Sequence, residues 1–411
     1  MTPREYRRLF VVSILGFSSG LPFALLGTTL QAWYADTGMS VMQIGLLSLL
    51  GLPYTYRMIL APLVDRYNLF GLGRRRGWMM SMQVLLLLGF NGLAWLQPQS
   101  SPHLIALLAC ALSFCSAMQD TVIDAQRIEY LPEADYGLGA AFGVLGYRIA
   151  ILIGAGVALI VAAHVGWAWT YRLMGSLMSI GLVTAWCSQE PPATKAPTGW
   201  HAWIEPFLNL LSRENCLWLF AFILLYKLGE AFTTTTSGIV MPFLRQSLDF
   251  SLETIGYVNK LMGVVALLTG GLVAGYILRI WLLYRALICF GFMQAVSNLL
   301  FLALAIQGKV MWLFVTAVFF DNLAAGMGTT ALVALLMQVV DKRYTATQFS
   351  ILVAISAIPR IFGGPLGALI QARVGWVGLF VWAVLLSFLF LLVVGKIRGF
   401  TNKYLHSSTE Q

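Results

Sequence analysis

The sequence has very little charge. Only 10% of its 411 residues are Asp, Glu, Lys or Arg, whereas 59% are hydrophobic and the mean hydropathy is +0.80. A soluble protein carries about 25% charged residues. Because the chain lacks the polar coat of a soluble globular protein, its composition predicts an all-α integral membrane protein.

Cysteine and histidine are scarce as well. The four histidines are scattered and form no cluster of the kind that holds a catalytic metal. The cysteines show no paired spacing, which argues against a disulfide framework or a zinc site. They lie in or beside apolar segments, at Cys110, Cys115, Cys187, Cys216 and Cys289. We therefore expect no bound metal or cofactor, and no enzymatic activity.

Basic residues outnumber acidic ones, 26 against 17, and the net charge is +9. Nucleic-acid binding would require the basic residues to cluster on one face of a folded domain. They instead occupy the gaps between apolar runs, which is typical of a protein oriented in a membrane. We expect the lipid bilayer, and not a nucleic acid, to be the partner.

Twelve apolar stretches are long enough to cross about 30 Å of hydrocarbon at about 1.5 Å per residue. These predicted spans are 9–33, 41–62, 77–96, 103–126, 138–164, 167–187, 216–243, 253–277, 282–306, 310–338, 346–371 and 375–396. The longest loop, 188–215, follows the sixth span. It divides the chain into an N-terminal six-helix bundle, 1–187, and a C-terminal one, 216–411, with a short tail.

Lysine and arginine are distributed unevenly between the two sides of the predicted bundle. With an even number of spans, both termini lie on one side, and the loops of that side hold nearly all the basic residues. The opposite loops hold only Arg245, Lys309 and Arg373. The positive-inside rule therefore places both termini in the cytoplasm.

The two halves carry matching segments in the same order. HVGW, from His164 to Trp167, recurs as RVGW, from Arg373 to Trp376, 209 positions later. MQIGLLSLL, 42–50, pairs with ETIGYVNKL, 253–261, 211 positions later. Two repeated six-helix halves predict a major-facilitator-type transporter with a substrate cavity between them near the bilayer midplane. We expect a small-molecule substrate and a monomer.

The loop after the second span reads PLVDRYNLFGLGRRRGW and is rich in charge. It resembles the cytoplasmic loop of the major facilitator superfamily, whose charges latch helix ends in one conformation. The candidate latch residues are Asp65, Arg66, Arg74, Arg75 and Arg76. The alternative is an ordinary positive-inside loop without a latch.

Two carboxylates lie one helical turn apart in FCSAMQDTVIDAQRIEYLPE, 114–133. Asp120 and Asp124 share a helix face because residues i and i+4 are neighbours. An ionisable residue inside a membrane is a functional-site hypothesis, and two acids in a low-dielectric cavity raise each other's proton affinity. We predict that they carry a coupling proton. The alternative for Asp124 is a pair with Arg127 that merely caps the helix.

Other polar residues inside the spans are candidates for substrate binding. Lys227 and Glu230 are spaced to form an intrahelical pair, and Arg148 and Arg360 hold comparable places in the two halves, where they suit an anionic group or a carboxylate partner. Arg57 and Arg172 lie nearer span ends, so we expect both to extend towards the headgroups. The full candidate set is Gln31, Gln119, Tyr147, Arg148, Tyr226, Lys227, Glu230, Asn259, Lys260, Asp321, Asn322, Gln348 and Arg360.

Several stretches together resemble the AmpG family of muropeptide permeases: LGFSSGLPFAL, TLQAW, PLVDRY with GRRRGW, FCSAMQD, VLGYR, LYKLGEAF, IGYVNK, FFDNLAAGMGT and ATQF. The resemblance implies proton-driven import of GlcNAc-1,6-anhydroMurNAc, with or without peptide, across the bacterial inner membrane for cell-wall recycling. Four short motifs of the family fall on this sequence as follows: QD on Gln119 and Asp120, YKLG on 226–229, VNK on 258–260 and ATQF on 346–349. The proton gradient would supply the energy, with no cofactor.

Two other functions stay open on the sequence. AmpG proteins often continue past the twelfth span, whereas this chain stops soon after Arg398, and short relatives include siderophore importers. An amphipathic cavity also suits a lipid or another solute. Growth on a siderophore, or dependence of transport on a pH gradient, would separate these possibilities.

Overall fold

A computed structural model describes residues 3–39, 43, 46–192, 201–233 and 239–401. Within these ranges the chain is helical and contains no strand. The central part of the linker, 193–200, three residues of the MQIGLLSLL stretch, 42, 44 and 45, and the tail, 402–411, lie outside the described residues, as does the side chain of Lys260. The all-α prediction is confirmed.

Thirteen labels cover the main helices. They are α1 (Pro3–Asp36), α2 (Arg57–Arg66), α3 (Arg74–Leu93), α4 (Pro102–Tyr130), α5 (Glu133–Val165), α6 (Trp167–Ser176), α7 (Met178–Cys187), α8 (His201–Leu211), α9 (Cys216–Ala231), α10 (Gly256–Ile277), α11 (Leu283–Gln307), α12 (Met311–Val339) and α13 (Thr345–Ser387). Shorter helical turns are Leu47–Gly51, Leu52–Thr55, Val240–Pro242, Phe243–Ser247, Leu252–Ile255, Phe390–Val394, Gly395–Ile397 and Arg398–Thr401.

Eight helices in the described part of the chain are long and apolar enough to cross a membrane. They overlap the predicted spans 9–33, 103–126, 138–164, 253–277, 282–306, 310–338, 346–371 and 375–396. The last two of these spans share α13, which has a kink at the non-helical Gly375. Of the other four predicted spans, 41–62, 167–187 and 216–243 contain shorter or broken helices, and 77–96 is covered mainly by the unbroken 20-residue α3, which begins with three arginines. One of them, 216–243, is entered through a 90° bend between Trp203–Leu211 and Cys216–Ala231.

Helix α4 has ends that its sequence explains. Pro102 occupies the first turn, where its missing N–H costs no hydrogen bond. At the other end, Leu131 is extended, with φ −88° and ψ 141°, because the following Pro132 disfavours helical geometry before it. The helix between them has 29 residues, which suffices to cross the hydrocarbon core.

The HVGW and RVGW segments fold into the same turn. Gly166 has φ 81° and Gly375 has φ 72°, a left-handed backbone region that glycine adopts without strain. Each following tryptophan packs on an aromatic ring of its own half: Trp167 lies 6.0 Å from Trp33, and Trp376 lies 5.2 Å from Phe243. The 209-residue sequence match is therefore also a match of backbone conformation.

The chain forms two compact units. Unit 1 comprises Met1–Pro132, Phe142–Phe207 and Val340–Ser350, and unit 2 comprises Glu133–Ala141, Leu208–Val339 and Ile351–Gln411. Each unit thus includes a short segment from the other half of the sequence. These two segments occupy equivalent places in the repeat, since Glu133–Ala141 lies 209 positions before 342–350.

Aromatic side chains fill the core of unit 1. The Tyr171 ring lies 5.0 Å from Trp33 and 6.4 Å from Phe90, and its hydroxyl donates to the Leu25 carbonyl at 3.1 Å. The bond satisfies the only polar group of a fully buried ring. These contacts hold α1, α3 and α6 together.

In unit 2, glycine allows α10 and α12 to pack closely. A Cβ at Gly270 would overlap the Leu323 carbonyl, and a Cβ at Gly326 would overlap the Leu267 carbonyl. Such small residues permit backbone contact in membrane helices, where packing replaces the hydrophobic effect. The contact fixes the position of Asp321 on α12.

Candidate functional site

The two predicted acids of α4 converge on a single arginine within unit 1. Arg57 Nη1 lies 3.1 Å from Asp120 Oδ2 and 3.1 Å from Asp124 Oδ2. Arg57 is only 8% exposed. The expectation that Arg57 extends to the headgroups is therefore wrong, because two partly buried carboxylates hold its guanidinium inside.

The row of charges continues at both ends. Ser19 of α1 donates its hydroxyl to Asp120 Oδ1, and Arg127 Nη2 donates to Asp124 Oδ1 at 2.8 Å. The Asp124–Arg127 pair weighed as an alternative is thus present, alongside the contact with Arg57. Asp120, Arg57, Asp124 and Arg127 form a charged row of α4, in which Arg57 reaches in from α2. Its acids and bases alternate, so the row is neutral when all four groups are ionised. A proton on Asp120 would break this balance and loosen its contact with Arg57.

Aromatic rings lie beside this row in unit 1. The Tyr54 hydroxyl donates to Ser116 Oγ at 2.6 Å, and the Phe23 ring contacts Tyr54 at 5.1 Å and Tyr147 at 6.3 Å. Tyr147 and its neighbour Arg148 are half-buried on α5. Aromatic faces beside hydroxyls suit a sugar-like solute. Sequence reasoning named Tyr147 but gave Phe23 and Ser19 no role.

Helix α9 carries the predicted intrahelical pair of unit 2. Lys227 Nζ donates to Glu230 Oε1 at 2.6 Å and also to Thr329 Oγ1 of α12 at 2.8 Å. The neighbouring Tyr226 ring is buried and packs against Phe390 at 5.4 Å. The lysine therefore joins α9 to α12 as well as neutralising Glu230.

Asp321 and Asn322, adjacent on α12, have different surroundings. Asp321 is buried and accepts hydrogen bonds from Thr233, Gln294 and Ser297. Asn322 instead donates to the Val318 carbonyl of its own helix at 2.8 Å. The two residues were predicted together, but only Asp321 belongs to an interhelical polar cluster.

The remaining candidates do not gather at one place. Gln119 is fully buried and donates to the Ser18 carbonyl at 2.8 Å. Gln348, also fully buried, accepts from the Asp341 N–H at 2.9 Å and donates to the Pro206 carbonyl at 3.2 Å. Both amides thus bond to backbone. Of the others, Asn259 is buried, Gln31 is half-buried and Arg360 is exposed.

Arg172 lies where the sequence placed it, near a span end. Its guanidinium stacks over the Trp95 and Trp169 rings, at 4.7 and 5.0 Å. Such cation–π contacts are common at membrane interfaces, where tryptophan is enriched.

The charged loop forms a compact network in unit 1. Asp65 Oδ1 accepts from Arg75 Nη2 at 2.9 Å and from the Ala346 N–H at 3.0 Å. Asp65 Oδ2 accepts from the N–H and the hydroxyl of Thr347, at 2.9 and 2.8 Å. The carboxylate therefore covers the first turn of α13, where unpaired N–H groups and the helix dipole favour a negative charge.

Glu129 completes this network from the end of α4. It accepts from Arg75 at 2.5 and 3.1 Å and from Arg74 at 3.0 Å. Burial would lower the pKa of Arg75, but the charges of Glu129 and Asp65 together raise it above its ordinary value. Arg75 is consequently a fixed cation, fully buried between two acids.

Glu190, in the segment after α7, was not singled out from the sequence. Its carboxylate accepts from the backbone N–H groups of Arg75 and Arg76, at 2.8 and 2.9 Å, and so caps the start of α3. Arg76 donates to the Ser188 carbonyl, and Arg66 lies over the Tyr67 ring at 4.9 Å. The candidate latch residues therefore differ in role, with Asp65 and Arg75 at the centre.

An apolar groove of about 500 Å³ opens elsewhere in unit 1. Its walls include Leu46, Leu49, Tyr56, His103 and Phe114. None of the candidate site residues lines it, so it is separate from the charged row of α4.

Comparison with known proteins agrees with this architecture. A family model described as Major Facilitator Superfamily matches residues 12–363. Among solved structures, a bacterial homologue of the iron transporter ferroportin superposes with a TM-score of 0.71 at 12% identity, covering 95% of this chain and 98% of that one. The proton:xylose symporter XylE gives 0.67 at 13% identity, covering 97% and 96%. The helical fold and these matches define a transporter of the major facilitator superfamily.

Sequence relatives identify the family of this chain within the superfamily. The anhydromuropeptide permease of Escherichia coli K12 is 38% identical over 389 residues, which cover 92% of this chain and 79% of that protein. A Rickettsia felis protein named AmpG 4 is 28% identical over 408 residues, which cover 95% of this chain and 96% of that protein. The chain therefore belongs to the AmpG family.

Proposed function

We propose that the chain is a proton-coupled importer of anhydromuropeptides in the bacterial inner membrane. The observation that carries this proposal is the 38% identity, over nearly the whole chain, to a protein named anhydromuropeptide permease. The proposal includes twelve spans in two six-helix halves, 1–187 and 216–411, joined by the linker 188–215, with both termini in the cytoplasm. The transporter acts as a monomer and needs no cofactor, since the proton gradient supplies its energy.

The charged row of α4 supports coupling to protons. Asp120 binds Arg57 through one oxygen and Ser19 through the other, so a proton on Asp120 competes directly with the ion pair. Arg57 keeps Asp124 as a partner when that happens. Proton binding therefore moves a buried cation between two acids, and such a charge displacement can be linked to substrate binding.

The aromatic residues beside the charged row of unit 1, Phe23, Tyr54 and Tyr147, support a sugar-containing substrate. Tyr54 and Tyr147 present rings and hydroxyls beside the charged row, and Arg148 supplies a positive charge for an anionic group of the sugar-peptide. In unit 2, the corresponding proposal assigns substrate contacts to Lys227 and Glu230.

The network around Asp65 acts as the conformational latch in this proposal. The Asp65 carboxylate holds the first turn of α13 through three hydrogen bonds, and it also pairs with Arg75 of α3. Transport requires that α13 be released and recaptured in each cycle. Arg75 and Glu129 keep Asp65 in position for recapture.

Uptake tests the function directly. Labelled GlcNAc-anhydroMurNAc is supplied to cells that lack their own permease and express this chain, with membrane insertion checked by immunoblotting. We expect uptake that collapses when the pH gradient is dissipated, and Asp120→Asn to abolish accumulation. Absence of uptake despite confirmed insertion would contradict the substrate assignment, and siderophore uptake by the same cells would replace it.

A further inference from the structure

Unit 2 contains a buried acid whose surroundings differ from those of every acid in the charged row of α4. Asp321 lies within α12, the span Met311–Val339, and is only 3% exposed. Its Oδ1 accepts from Thr233 Oγ1 at 2.9 Å and from Gln294 Nε2 at 2.8 Å. The Ser297 hydroxyl, which donates to the Gln294 carbonyl at 2.8 Å, is a weaker third donor at 3.4 Å. All three donors are neutral.

No cation contacts Asp321 among the described side chains. The nearest basic group along α9, Lys227, is engaged with Glu230 and Thr329. Asp120 in unit 1 is the instructive contrast, because Arg57 neutralises it at 3.1 Å. A carboxylate inside a membrane without a cationic partner is strongly disfavoured.

The hydrogen bonds of Asp321 are also unequally shared between its two oxygens. Oδ1 takes all three, and within the described part of the chain no donor reaches Oδ2. An ionised carboxylate accepts through both oxygens, whereas a carboxylic acid accepts through its carbonyl and keeps a proton on its hydroxyl. The observed pattern is that of an acid with its proton on Oδ2.

A network from three further helices holds the donors in place. Thr233 Oγ1 lies 3.2 Å from Asn298 Oδ1, and the Asn298 amide donates to the Gly229 carbonyl at 2.7 Å and to Ser387 Oγ at 2.6 Å. Gln294 keeps its own Oε1 buried, without a partner in the described residues. The cluster therefore joins α9, α11, α12 and α13 around one carboxyl group.

We infer that Asp321 is a proton-binding site in unit 2, occupied by a proton in the conformation described here. On α9, the charge of Glu230 acts on Asp321, Lys227 pairs with Glu230, and the Tyr226 hydroxyl lies near Gly328 of α12. The side chain of Lys260 on α10 lies outside the described residues. A sodium ion fits this site less well than a proton, because a metal ion is bound by oxygen atoms. At Oδ1 of Asp321, Gln294 presents an amide N–H instead of an oxygen. The role of this proton in transport rests on the function proposed above.

Infrared spectroscopy of the full-length protein in lipid nanodiscs tests the occupancy without any substrate. At neutral pH we expect a carbonyl band of a protonated carboxylic acid that shifts in D2O and is lost in Asp321→Asn. Asn preserves the shape and the neutrality of the protonated acid, so this variant should fold. Asp249→Asn is the matched control, since Asp249 is an exposed acid whose side chain is 82% accessible, and it should keep the band.

Three outcomes would overturn the inference: no such band in the unmodified protein, an undiminished band in Asp321→Asn, or a band that disappears when sodium replaces potassium at constant ionic strength. If the band behaves as expected but anhydromuropeptide uptake is absent, the proposed function fails and the proton site remains.

Transport in proteoliposomes tests the coupling. We expect Asp321→Asn to exchange labelled for unlabelled substrate but not to accumulate it against a gradient when a pH difference is imposed. Exchange that persists without accumulation separates a lost proton step from a lost substrate site or a misfolded protein. Accumulation equal to that of the unmodified transporter would overturn the coupling role of Asp321.

Discussion

Replacing Arg57 by methionine tests whether the charged row of α4 depends on its shared cation. Met replaces the apolar stem of the arginine without its charge, and so leaves Asp120 with Ser19 alone, while Asp124 retains Arg127. Removing one partner of a buried ion pair costs about 3–5 kcal/mol. Because the two acids keep 18% and 19% side-chain exposure, we expect the lower end, about 3 kcal/mol.

A double-mutant cycle isolates the interaction. Asp120→Asn in the Arg57→Met background removes the uncompensated charge, so the double variant should be more stable than the Arg57→Met variant. We expect a departure from additivity of about 1–3 kcal/mol. Thermal unfolding of the purified proteins in one detergent, followed by fluorescence-detected size exclusion, provides the comparison.

Arg172→Met is the matched control, because Arg172 is also a predicted intramembrane arginine but contacts only the Trp95 and Trp169 rings among the contacts described. Its loss should cost about 1 kcal/mol, the strength of a cation–π contact. The reasoning is refuted if Arg57→Met is no more destabilising than Arg172→Met, or if the cycle is additive.

Three further predictions concern the latch, a repeat turn and an alkaline transition. Asp65→Ala leaves the first N–H groups of α13 without their acceptor and removes one of the two acids that pair with Arg75, and we expect a loss of about 3 kcal/mol in thermal unfolding. Gly375→Ala forces a Cβ into a left-handed backbone at a cost of about 1–2 kcal/mol by the same assay. Burial and a 2.8 Å hydrogen bond to Glu205 raise the pKa of the Tyr344 hydroxyl. As the pH rises, the unfolded chain loses this proton before the folded chain does, so the free energy of unfolding should fall above about pH 10. The fall should be smaller in Tyr344→Phe.

Each of these predictions has a result that would contradict it. An Asp65→Ala protein as stable as the unmodified one would mean that the carboxylate does not hold α13. Gly156→Ala is the control for the turn, because Gly156 has open space around it and no positive φ, and equal effects at both glycines would argue against backbone strain. For the alkaline transition, identical pH profiles of the Tyr344→Phe and unmodified proteins would dismiss Tyr344 as its origin.

Local contacts were accessible from the sequence. Lys227 with Glu230 and Asp124 with Arg127 are three residues apart, and helix geometry alone brings such pairs together. The four-residue match of RVGW to HVGW indicated a repeat, and the structure then showed the same turn at Gly166 and Gly375. The Asp120–Asp124 spacing correctly indicated one shared face of α4.

Contacts between distant segments were not accessible. Arg57 was expected at the headgroups, and no sequence pattern joins it to an acid 63 residues later. Glu190 follows α7 by three residues, yet it caps the start of α3 by accepting from the N–H of Arg75, which lies 115 positions earlier in the chain. An acid after a membrane span is an ordinary feature. The one signal in the sequence was the excess of arginine in the loop 62–78, which calls for acidic partners elsewhere in the chain.

The polar candidates divide for the same reason. Gln119 and Gln348 carry family motifs, but their amides bond to the backbone of neighbouring segments. Asp321 appeared as one intramembrane charge among several, and its neutral donors come from Thr233, Gln294 and Ser297, spread over 65 residues of sequence. Hydrogen bonding of a side chain depends on which helices surround it, and periodicity does not reveal that.

The sequence by itself determined that the chain is a helical membrane transporter, where eight of its apolar helices run, and which acids share a face, because hydropathy and helical spacing are local properties. Only the tertiary structure decided which of the buried acids has a cation. Asp120 meets Arg57, whereas Asp321 meets neutral donors alone. That difference arises from helix packing, and it separates an ion-paired acid in unit 1 from an acid without a described counter-ion in unit 2.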